Sequence, residues 1–143
     1  MLPLSWLALL LKSFVCLPPN QLQFESPVQR VAHFGLHHGL TNALLLPASI
    51  AFLEQSALDA EQGARLATVH GFFQERGLSG DSLSSVSRAW FESLGIEFGL
   101  ARHGIPVNRL EFLADEAFDD PCHPTNMIPV TREDLLATYR TAL

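Results

Sequence analysis

Basic side chains are scarce: nine Lys and Arg stand against fifteen Asp and Glu, a formal net charge of −6. No basic run or stripe appears. Phosphate backbones are held by clustered Lys and Arg, so a nucleic-acid surface is excluded as a function class. The two cysteines, Cys16 and Cys122, share no short spacing. They form neither a CxxC motif nor a disulfide framework, and a reducing, cytoplasmic compartment is the default expectation. No period-2 run of β-branched residues of useful length occurs, so strands are not expected. The chain has no GxGxxG, no P-loop and no GxSxG, so nothing in it would bind a dinucleotide by itself. Charged residues are also few, at 17%, against 48% hydrophobic. That ratio excludes disorder. At 143 residues, one domain with a sizeable core is the expectation.

Residues 1–33 read differently from the rest. Residues 1–11 are almost wholly apolar, and Lys12 is the sole charge before Glu25. A spanning helix needs about 20 apolar residues, and Lys12 with Pro18-Pro19 cuts this run short, so a membrane span is not expected. No basic n-region precedes the run, which disfavours a secretory signal. This part is read as an atypical apolar, proline-containing segment, with residues 34–143 as the domain.

From Phe34 onward the pattern is helical, and the fold class expected is all-α with five helices. Thr41 or Asn42 can cap a first helix carrying Leu44, Leu45, Ile50, Phe52 and Leu53. Pro47 then suits its first turn, with a start around residues 43–46 or a local kink. The consecutive Leu44, Leu45 and Leu46 suggest burial on more than one side. A second helix is expected over residues 58–76, stopped by Gly77. Asp81 or Ser82 caps a third, with Leu83, Val86, Ala89, Trp90 and Leu94 on one face and Gly95 at its end. After Pro106 comes a stripe of Leu110, Leu113, Ala114, Ala117 and Phe118. The last helix follows Thr131, with Asp134 placed for a capping box and Leu135, Leu136, Tyr139 and Ala142 as its apolar face.

Histidines dominate the candidate chemistry. His33 and His37 stand at i, i+4, the spacing that sets two imidazoles on one helix face, with His38 beside them. Gly35 and Gly39 interrupt that stretch, and no nearby acid completes a ligand set. Its plainer reading is a loop with exposed histidines. Cys122 and His123 are neighbours in sequence and therefore point apart, so adjacency does not make them a nucleophile–base pair. Asp115, Glu116, Asp119 and Asp120 read as a solvated helix end. His70 reads as a packed or surface histidine. His103, before Gly104, suits a helix C-terminus.

Two segments carry a resemblance. Phe34-Gly35-Leu36-His37-His38-Gly39-Leu40-Thr41-Asn42-Ala43-Leu44-Leu45-Leu46-Pro47 resembles the stretch of the iron-containing alcohol dehydrogenases in which a His-Gly pair opens a helix reading Asn-Ala-x-Leu-Leu-Pro. Further on, Asp119-Asp120-Pro121-Cys122-His123-Pro124-Thr125-Asn126 resembles that family's Asp-x-Cys-x-x-x-Asn loop. The resemblance implies the C-terminal, all-helical domain of a two-domain oxidoreductase. Its partner domain holds NAD(P), and its metal, iron or zinc, polarises the oxygen of a small alcohol or aldehyde. His38 matches the last metal ligand, and Cys122 matches a position bordering the substrate pocket.

The family holds its metal with one aspartate and three histidines. The aspartate and first histidine fall before anything in this sequence. Fourteen residues before His38, where the next histidine belongs, the chain has Phe24. The expectation is therefore a truncated member, inactive as an isolated chain and binding neither metal nor nucleotide alone. The other readings are a non-catalytic helical interaction module, self-associating through exposed apolar surface, or the remnant of a damaged gene.

Overall fold

The computed structural model describes residues 34–121 and 123–143. Among them are five α-helices and no strand: α1 (His38–Gln55), α2 (Ala60–Gln74), α3 (Leu83–Ser93), α4 (Leu110–Phe118) and α5 (Arg132–Thr141). Short 3-10 turns at Leu100–His103, Val107–Arg109 and His123–Thr125 link the later helices. The all-α expectation holds. None of the described helices is long and apolar enough to cross a membrane.

Local chemistry explains most helix ends. Asp59 with Gln62, Ser82 with Ser85 and Thr131 with Asp134 each form a reciprocal capping box. Each box satisfies two backbone N–H groups that a helix start would leave unpaired. Gly77 closes α2 at φ +74°, a left-handed conformation that a Cβ would strain. The Leu78 N–H then donates to the Phe73 carbonyl at 3.1 Å and the Gly77 N–H to Gln74 at 2.9 Å. Gly95 ends α3 by the same pair of bonds, from Ile96 to Phe91 and from Gly95 to Glu92.

The start of α1 departs from the expectation. Its cap is His37, in extended conformation, whose Nδ1 accepts the Gly39 N–H at 3.2 Å. Thr41 is instead fully buried inside the first turn, and its hydroxyl donates back to the His37 carbonyl at 3.4 Å. The helix thus begins about one turn earlier than the strongest capping residue implied. Pro47 lies well inside it and is buried. Lacking an N–H, it gives the Ala43 carbonyl no helical bond, a defect of about 3 kcal/mol in an isolated helix. Burial of the flanking leucines offsets that cost.

α1 is the central element, packing against α3 and α5, while α4 covers α5 and α2 covers α3. Its three consecutive leucines divide between two cores. Leu44 and Leu45 join Leu100, Leu113 and Tyr139 in one. Leu46 joins Ile50, Leu53, Leu66 and Leu83 in the other. Burial on more than one side, inferred from the leucine run, is what the packing shows. Three stripe positions do not follow the helical pattern: Ala89 is exposed within α3, and the other two lie at helix ends. Leu94 is 61% exposed because α3 ends at Ser93, and Phe118, the last residue of α4, is 41% exposed.

Candidate functional site

Two polar regions stand out: the N-terminal mouth of α1 and the loop between α4 and α5. At the mouth, His37 is exposed and occupied as a cap, while His38 is half-buried as the first residue of α1. Asn42 stands one turn further on the same side of the helix. Its carboxamide oxygen is buried and has no hydrogen-bond partner among the described residues. Side chains on a helix lean toward its N-terminus, so Asn42 leans toward the turn that carries His38. His33, and with it the i, i+4 pair, lies outside the described residues, as do Phe24, Cys16 and the apolar segment of residues 1–33.

The loop after α4 is pinned by His123. Its Nε2–H donates to the Val130 carbonyl at 2.7 Å, which fixes the tautomer, since a carbonyl only accepts. The imidazole also lies 4.6 Å from the Phe118 ring, centroid to centroid. Asn126 donates its side-chain N–H to the His123 carbonyl at 2.9 Å. Cys122 lies outside the described residues.

The acidic run does not behave as one solvated helix end. Asp115 and Asp119 are exposed, but Asp120 is only 3% exposed and Glu116 is half-buried. The chain turns directly after Asp120, where the His123 N–H donates to the Asp120 carbonyl at 2.9 Å. Asp115 pairs across to Arg132 at the start of α5. The hydrogen bond from Arg132 holds the Asp115 carboxyl below the usual carboxylate range, and Asp115 in turn raises the Arg132 guanidinium. The pair joins two helices and is solvent-exposed, a structural role.

Of the other two described histidines, His103 has a hydrogen-bond partner. His103 ends its 3-10 turn, and its Nε2–H donates to the Glu97 carbonyl at 2.7 Å rather than capping a helix carbonyl. His70 is half-buried in α2, with its Nε2 enclosed and unpartnered among the described residues.

Two features escape sequence reading. Asn42 reads there as a cap, because Asn at a helix start usually is one; its enclosed oxygen appears only once α1 is seen to begin four residues earlier. Glu54, in the last turn of α1, caps a different helix: its carboxylate accepts the Leu83 N–H at 2.7 Å and the Ser84 hydroxyl at 2.5 Å. No local signal marks a contact across about thirty residues of chain.

A metal needs three or four donors at fixed distances. Among the described residues no group of three or more His, Cys, Asp or Glu side chains gathers. The mouth of α1 thus offers one imidazole, and the described side chains do not fit a metal centre.

The family model for the C-terminal domain of the Fe-containing alcohol dehydrogenase family matches residues 28–143. No curated protein matches the chain.

Proposed function

This chain belongs to the Fe-containing alcohol dehydrogenase family through its C-terminal domain, and we propose that residues 34–143 are the helical half of an NAD(P)-linked oxidoreductase. Its substrate class would be a small alcohol or aldehyde, and its setting the cytoplasm. The observation that carries this reading is the placement of His38. It opens a central helix buried on both sides, the kind of rigid support that a metal-ligating imidazole requires. We assign His38 as the one metal-ligand position. Cys122 is assigned to the border of the substrate pocket, in a loop whose neighbour His123 is held by Val130 and Phe118.

The described residues do not fit the iron or zinc that the family implies, because His38 has no companion donors among them. A single imidazole holds a divalent metal far too weakly to retain it. Phe24 stands where a second histidine belongs. We therefore read the 143-residue chain, taken by itself, as non-catalytic. The test is the purified chain supplied with Fe2+ or Zn2+, NAD(H) or NADP(H), and a panel of short alcohols and aldehydes. No metal-dependent turnover is expected, and dialysed protein should carry less than stoichiometric metal in both the wild type and His38→Ala. Sustained NAD(P)-linked turnover, or stoichiometric metal lost only in His38→Ala, would overturn the assignment.

A second reading, a helical interaction module, has its own support. Val107 is 63% exposed and Phe112 is 45% exposed, with the Arg109 guanidinium 4.7 Å from the Phe112 ring centroid. Exposed apolar side chains of this size favour association when they are contiguous. Size-exclusion chromatography with light scattering separates the two: concentration-dependent dimers abolished by Phe112→Ser support the module, and a monomer at all concentrations rejects it.

A further inference from the structure

We draw no further inference here: the strongest candidate, the groove of about 190 Å3 between α1, α3, Phe98 and the end of α5, carries nothing, because its cation, Arg88, is already held by Glu92 and stacked on Phe98 and nothing in the structure shows what covers its apolar floor.

Discussion

Replacing Glu54 with alanine should destabilise the domain by loosening α3 from α1. Glu54 sits in the last turn of α1, where the helix dipole disfavours a negative charge. It nonetheless reaches the start of α3, where the dipole favours one. There it accepts the Leu83 N–H at 2.7 Å, a weaker bond from the Ser84 N–H at 3.4 Å, and the Ser84 hydroxyl at 2.5 Å. A hydrogen bond to a charged group contributes about 1.5–3 kcal/mol, and losing a helix cap costs about 0.5–2 kcal/mol. Two facts lower the sum. Glu54 is solvent-exposed, so water replaces part of what is lost, and Ser82 still caps the Ser85 N–H. The net expectation is about 1–2 kcal/mol, or a fall in Tm of roughly 4–8 °C for a domain of this size. Glu54→Gln keeps one acceptor oxygen for the Leu83 N–H but turns the other, which accepts the Ser84 hydroxyl, into an NH2 donor, and should lose about half as much. The assay is urea unfolding followed by circular dichroism, with thermal melts alongside. If Glu54→Ala melts within 1 °C of the wild type, the cross-helix cap contributes nothing. If Glu54→Gln is as damaging as Glu54→Ala, the Leu83 bond to a neutral acceptor contributes nothing, and the charge with the Ser84 bond carries the effect.

Two further perturbations test other parts of the fold. Leu113 is 1% exposed in the core shared by α1, α4 and α5; Leu113→Ala should lower stability by about 2–5 kcal/mol in urea unfolding, and a loss under 1 kcal/mol would mean that core is not packed as described. For Asp115, the folded carboxyl titrates below its unfolded value because Arg132 donates to it. The stability this pair adds is therefore fully present above the ordinary carboxylate range and disappears as pH falls through the depressed folded value. Carboxyl 13C titration should place Asp115 low in the wild type and return it to the ordinary range in Arg132→Gln; an unchanged Asp115 midpoint would contradict the pairing.

Most helix ends, though not the start of α1, and the family were legible in the residues because both are written locally. A capping box needs four consecutive positions, and a left-handed stop needs one glycine, so Thr131 with Asp134, Gly77 and Gly95 could be read without any partner. The His-Gly and Asp-x-Cys segments likewise carry their resemblance in unbroken stretches. The three leucines of α1 announced burial but not its division, because which neighbour a side chain meets depends on distant helices. Tertiary structure decided three things. Thr41, one of the two residues that read as caps, is buried inside the helix, leaving that role to His37, which has no strong capping preference. Asp120 is enclosed although it stands in a run of acids, at a point where the chain turns after α4. Glu54 serves α3 rather than its own helix, through bonds that exist only once the two helices have docked. Short-range backbone chemistry fixes where helices stop, and long-range packing chooses which polar groups are enclosed and what they bond to.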